Sequence, residues 1–206
     1  MQSLMAGLVA QQVDASSIMV FGPTAETILH EAERLGADLI VMGTHGAKGV
    51  KNLVGSNTQK IVRSAPMPVL VTKNPIEDLN IRDVVYASNF TSSDIEKFDA
   101  FRPFLDIFDP NVHLLKVNTP RSFERSEDSN RAIDGFLQRH SLSKFTATIY
   151  NDLSIEEGIL NFTRGIDADM IAMATHGRTG FFQVVNGSLT EDIVNHTTFP
   201  VLSVKL

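Results

Sequence analysis

One duplication constrains this chain more than any other feature. Sliding the sequence by 131 positions sets ETILHEAERLGADLIVMGTHG, residues 26–46, against EGILNFTRGIDADMIAMATHG, residues 157–177. Glu26, Ile28, Leu29, Ala37, Asp38, Ile40, Met42, Thr44, His45 and Gly46 all match, and Gly49 meets Gly180. The first loop is then one residue shorter, and at an offset of 132 Gly55-Ser56, Thr58, Ile61-Val62 and Pro68-Val69-Leu70 meet Gly187-Ser188, Thr190, Ile193-Val194 and Pro200-Val201-Leu202. A unit written twice is the economical reading.

Periodicity within the unit predicts alternating helix and strand. Ile28, Leu29, Ala32 and Leu35 share a helical face, as do Ile155, Ile159, Phe162 and Ile166, and the helices end near Gly36 and Asp167. DLIVMG and DMIAMA are short continuous apolar runs, the pattern of strands buried on both faces of a parallel sheet. Ser56 and Ser188 open further helices, stopped before Pro66 or Pro68 and before Pro200, and PVLVTK and PVLSVK close the units as strands.

The second copy extends further back. IRDVVYASNF (81–90), NVHLLKVN (111–118) and KFTATIY (144–150) read as strands, and SSDIEKFDAFRPFLDIFD and SEDSNRAIDGFLQRHSL as helices, the first kinked or broken by Pro103. Five strands and four helices make an open, doubly wound, Rossmann-like α/β layer. Upstream of the first copy's shared helix stand only MQSLMAGLVAQQV, read as a helix end, and ASSIMVFG, read as a third strand. The domains are therefore expected at 1–73, incomplete, and 81–206, complete, with 74–80 as a linker. The missing first and second strands would lie upstream in a longer parent or come from another chain.

Composition excludes several functions. The formal charge of −6, with no basic run, opposes nucleic acid. The absence of cysteine excludes disulfides, thiolate metal sites and a cysteine nucleophile. No stretch reaches the roughly 18 apolar residues a membrane span needs, and a cytoplasmic protein without membrane contact is expected.

A strand that runs into glycine-rich backbone and then a helix opening Gly-Ser offers unpaired N–H groups and a helix dipole, a seat for phosphate oxygens. Both copies resemble the universal stress protein family. The resemblance rests on Gly, two residues, Gly, nine residues, Gly, then Ser or Thr, after ADLIVMGTHG and before PVLVTK, and it covers residues 26–73 and 81–206. It implies strand order 3-2-1-4-5, so the first copy would carry a hole in its sheet. It further implies an ATP or other adenine nucleotide site, with Mg²⁺ only alongside nucleotide. In the second copy the implied positions are Ala87, Ser88 and Asn89 for the ribose region, Val117 beside adenine, and Met173, Ala174, His176, Gly177, Gly187, Ser188 and Leu189 for the phosphates. In the first they are Met42, Gly43, His45, Gly46, Gly55, Ser56 and Asn57.

Both copies depart from the family pattern. Asn89 stands where an aspartate is expected. Ala174 replaces the first glycine, and its methyl group either strains a φ > 0 backbone or narrows the pocket. The first copy keeps its glycines but has only eight residues between Gly46 and Gly55, and no walls for adenine and ribose. A glycine loop can also be only a tight turn, and His45 and His176 lack partners at metal-ligand spacing. RSFERSEDSNR, 121–131, reads as a solvated connection. No nucleophile, acid and base converge, so no enzyme is predicted. The expected function is a stress-response binding or signalling module whose copies pack as a pseudo-dimer through antiparallel closing strands, within one chain or in a homo-oligomer. The alternatives are an ATP-dependent switch or weak ATPase, and a ligand-free dimerisation unit.

Overall fold

Apolar runs bounded by glycine, aspartate or proline form the strands, and amphipathic stretches cover them. In a computed structural model that describes residues 14–43, 55–73, 80–175 and 189–205, the first copy supplies α1 (Thr24–Leu35), β1 (Ile40–Gly43), α2 (Ser56–Ser64) and β2 (Val69–Thr72). The second supplies β3 (Asp83–Ala87), α3 (Ser92–Lys97), a 3₁₀ turn (Phe98–Phe101), α4 (Arg102–Phe108), β4 (Asn111–Asn118) and α5 (Ser126–Arg139). It continues through β5 (Phe145–Asn151), α6 (Ile155–Gly165), β6 (Met170–Thr175), α7 (Leu189–His196) and β7 (Val201–Lys205).

All seven strands join one sheet in the order β1-β2-β7-β6-β3-β4-β5. The second copy alone reads 3-2-1-4-5 in its own numbering, with parallel pairing throughout. The only antiparallel pair among these strands is β2–β7, where Val69 faces Ser203, Leu70 faces Leu202 and Val71 faces Val201. Leu70 and Leu202 are equivalents under the 132-residue offset, so a local twofold passes between them and exchanges the other two pairs.

Successive strand residues point to opposite faces, which separates two cores. On one face Val85, Leu115, Ile171, Val69 and Val201 meet Ala25, Ile61, Ile159 and Ile193 from α1, α2, α6 and α7. On the other, Val84, Tyr86, Leu114, Met170 and Leu202 meet Phe98, Phe101, Leu105 and Phe136. Tyr86 is the hub of that cluster, edge-on to Phe98 at 4.9 Å and stacked on Phe136 at 5.7 Å.

Three segments depart from the sequence expectation or sharpen it. Residues 15–22 form no strand: no strand is described beside them on which a third strand would pair, and Ile18, Met19, Val20 and Phe21 stay exposed. Among the described residues no strand lies beyond β1, so the first copy's described sheet ends there instead of enclosing a hole. The Pro103 break is resolved into a 3₁₀ turn followed by α4, with Pro103 in the first helical turn, where its missing N–H is not required. Residues 121–131 stay mostly exposed, but are a connection only as far as Arg125. Ser122 bridges to Thr119, α5 begins at Ser126, and Ser129 is fully buried.

At the N-terminal ends of the strands, His113 Nε2 lies 2.9 Å from Asp83 Oδ1, which also accepts from Asn111 Nδ2 at 3.0 Å. Hydrogen bonding to His113, then to Asn111, holds the Asp83 carboxyl below its ordinary range. A carboxyl depressed in the folded state stabilises fully above its unfolded pKa, about 3.9, and loses that contribution as pH falls through the folded value. Urea midpoints measured between pH 6 and pH 2.5 should therefore drop below about pH 4, and Asp83→Asn should drop less steeply; parallel curves would refute the coupling.

Candidate functional site

The chain leaves β3 for β4 on one side and returns through β5 and α6 to β6 on the other, so the C-terminal ends of β3 and β6 mark a topological switch point. Open α/β sheets bind ligands in the crevice there. This sheet has a cleft at that place. Ala87, Ser88 and Asn89 after β3, Val117 of β4, Met173 and Ala174 of β6 and Leu189 of α7 all line it. Every described second-copy residue picked out from the sequence thus meets in one crevice; His176, Gly177, Gly187 and Ser188 lie outside the described residues.

The loop after β3 is built to aim Asn89. Ser88 N–H extends the ladder to Leu115 O at 3.1 Å, and Ser88 Oγ accepts the N–H of Phe90 at 2.8 Å. Phe90 turns through φ 57°, costing about 1–2 kcal/mol for a residue with a side chain. Its ring is buried edge-on to Phe136 at 5.3 Å, and that burial offsets the strain.

A buried cation fixes the same loop from below. Lys116 Nζ donates to Asn89 O at 3.0 Å and lies 2.7 Å from Glu124 Oε2. Ser129 Oγ donates to the same carboxylate oxygen at 2.8 Å, and Asn118 Nδ2 donates to Glu124 O at 3.1 Å. The Lys116 hydrogen bond is the largest cause that holds the Glu124 carboxyl below its usual range. The lysine's charge is thus spent on Glu124, and the described lining of the cleft contains no lysine or arginine.

Residues not singled out from the sequence complete the lining: Asp94, Leu115, Ile155, Ile159 and Thr190. Asp94 is buried in a capping box, its carboxylate accepting from Thr91 N–H at 3.1 Å while Thr91 Oγ1 accepts from Asp94 N–H at 3.4 Å. The Thr-x-x-Asp spacing was the available signal. Burial, and then the Asp94 charge, push the neighbouring Tyr86 phenol far up, with Ser88 opposing. Beside the cleft's helical wall, burial and then Glu156 raise the Asp192 carboxyl, while His196, paired with Glu156, opposes.

Ala174 lies within β6 on extended backbone, and Gly43 ends β1 without positive φ. Of the two expected effects of Ala174, strain is therefore removed and the half-buried methyl group narrows the cleft. In the first copy, Met42 and Gly43 end β1, and Gly55, Ser56 and Asn57 start α2, where Gly55 caps without a side-chain bond. His45 and Gly46 lie outside the described residues. No strand beyond β1 is described to wall that site.

The family model for universal stress proteins matches residues 2–73 and 108–205. The chain belongs to the universal stress protein family. A universal stress protein of Synechocystis is 24% identical over 168 residues, which is 81% of this chain and 57% of that protein. A universal stress protein of Thermus aquaticus is 47% identical over 58 residues, 28% of this chain and 42% of that one. The chain thus spans only about half the length of these curated relatives. The crystal structure of a universal stress protein from Archaeoglobus fulgidus superposes with a TM-score of 0.76 at 19% identity, covering 99% of this chain and 76% of that one. A functionally unknown protein of Pseudomonas aeruginosa gives 0.73 at 16% identity, with the same coverage. These likenesses establish the fold.

In this universal stress protein α6 presses on β4 at Gly158, where an added Cβ would stand 2.5 Å from Val117 Cγ1 and 3.2 Å from Asp152 Cβ. The first copy has Thr27 at the equivalent place, where no strand is described beneath the helix. Gly158→Ala gains about 1 kcal/mol of helix propensity but overpacks by about 1–3 kcal/mol. The variant should unfold at lower urea than wild type, while Thr27→Ala should not; an unchanged midpoint for Gly158→Ala would contradict the close contact.

Proposed function

We propose that this universal stress protein is a binding module whose second copy takes an adenine nucleotide in the β3–β6 cleft, acting through what it holds rather than by turnover. The observation that supports this reading most is the convergence of Ala87, Asn89, Val117, Met173, Ala174 and Leu189, drawn from separate segments, on one crevice at the switch point. Val117, Ile159 and Met173 offer apolar surface to a flat base. Asn89, held by Lys116 through its carbonyl, leaves an uncharged amide for ribose hydroxyls. The segment after β6 carries Gly177 and Gly187 and would take the phosphates, with Mg²⁺ arriving only with them.

The polar groups favour holding over hydrolysis. Ser88 Oγ is engaged by Phe90 N–H, and Asp94 by its capping box, so neither is positioned as nucleophile or base. In this reading the β2–β7 seam joins the copies as a pseudo-dimer, and the protein works in the cytoplasm as a stress-linked signalling partner. Calorimetric titration with ATP and Mg²⁺ tests it. Saturable binding is expected, and Ala174→Gly should tighten it by about fivefold, equivalent to roughly 1 kcal/mol, by widening the cleft. Absence of heat for both proteins would leave a ligand-free interaction unit.

A further inference from the structure

The second copy holds another cavity beyond the β3–β6 cleft, at the C-terminal ends of β4 and β5. Its volume is about 550 Å³, and no described residue lines both sites. Asn118 and Asn151, the last residues of the two strands, contribute to it together with Asp152. Pro120, Phe123 and Leu153 add apolar surface. Phe123 is 76% exposed and Leu153 78%, so two large apolar side chains stand free of the core at the rim of one cavity.

Asn118 itself is only 5% exposed. Its Nδ2 donates to Glu124 O at 3.1 Å, which fixes the orientation of the amide, because a reversed amide would set two carbonyl oxygens against each other. Asn118 Oδ1 is therefore an acceptor, buried and without a hydrogen-bond partner among the described residues. Native folds rarely leave such a group unpaired. Because Asn118 lines the cavity, a molecule seated there can supply the missing donor. We propose that this cavity binds a small, flat, uncharged heteroaromatic ligand whose ring N–H donates to Asn118 Oδ1.

The lining defines that chemistry. Thr119 Oγ1 is engaged by Ser122 Oγ at 2.7 Å, while Asp152 Oδ1 accepts Leu153 N–H at 2.7 Å and Asp152 Oδ2 accepts Asn161 Nδ2 at 2.9 Å. The buried group left to satisfy is thus an acceptor, and the ligand must bring a donor. An anion would meet the Asp152 carboxylate and no lysine or arginine in the described lining, and a cation would meet carboxylate oxygens that already accept hydrogen bonds. Phe123 offers a ring for stacking, and Pro120 and Leu153 suit an apolar body. The connection that carries Phe123 is set in advance, since Ser122 N–H donates to Thr119 O at 3.2 Å and to Thr119 Oγ1 at 3.1 Å. The site stands whether or not the β3–β6 cleft takes a nucleotide.

The probes are indole and N-methylindole, which keeps the shape and loses the donor. Each is titrated into the full isotope-labelled chain, and resonances are followed for the Asn118 side-chain amide and the backbone amides of residues 151–153. Indole is expected to shift them saturably, and N-methylindole to bind about tenfold more weakly for want of one hydrogen bond to a buried acceptor. Phe123→Ala and Leu153→Ala remove exposed side chains without touching the core, and each should weaken indole by about fivefold. Equal affinity for the two probes overturns the proposal. So do shifts that fail to saturate, that fall outside these residues, or that survive both variants unchanged.

Discussion

Three residue pairs, Val69 with Ser203, Leu70 with Leu202 and Val71 with Val201, hold the first copy in the fold. Among its described residues the first copy on its own is a two-stranded sheet with two helices, a small core. Joined through β2 it shares a core with the whole second copy. Val69, Leu70, Val71, Val201 and Leu202 are each at most 3% exposed, and burying such side chains contributes about 1.5–3 kcal/mol apiece. Lys73 strengthens the seam by donating to Asn195 O in the last turn of α7, where a helix end favours a cation. The same pairing removes two apolar edges that would otherwise recruit other strands.

The cleft depends on that sheet in a second way. Strand alternation sends Ala87, Leu115, Val117 and Met173 to the cleft's face, and Tyr86, Leu114 and Lys116 to the aromatic face behind it. The loop bearing Asn89 is therefore set by groups that never enter the cleft. The Phe90 ring anchors it among Tyr86 and Phe136, and Lys116 ties its carbonyl to Glu124 on the neighbouring connection. Removing either anchor would disturb Asn89 without altering a single lining side chain.

Local pattern made much of this legible in the sequence. DLIVMG and DMIAMA both became strands, β1 and β6, but only β6 is buried on both faces, since Val41 of β1 is 61% exposed; the equivalence of Leu70 and Leu202 emerged from the repeat itself. Where the outcome depended on a neighbour in space, the pattern failed. ASSIMVFG has the composition of a strand but no strand beside it among the described residues. Ile155, Ile159 and Thr190 read as ordinary helix residues, and only packing of α6 and α7 over the strand ends turns them towards the cleft. Lys116 sits in an apolar run as an apparent exception, and its reason, a carboxylate eight residues on and a carbonyl on another loop, is a tertiary fact.

Comparing equivalent positions separates what a copy needs from what it has inherited. Glycine at 158 is required by the strand beneath it, and the first copy, with no strand described there, accommodates Thr27. Gly43 is permitted rather than required, since its backbone is extended and an added Cβ would meet nothing closer than Thr72 O at 3.9 Å. Ala174 accordingly fits β6 without strain, and its effect falls on the space available in the cleft. Asp38 is the opposite case. An exposed aspartate just before a strand contributes little by itself, yet its counterpart Asp169 makes three contacts with the start of β3, so the same side chain contributes more where a described strand lies beside it. Equivalent residues of the two copies thus contribute differently because the described neighbours around them differ.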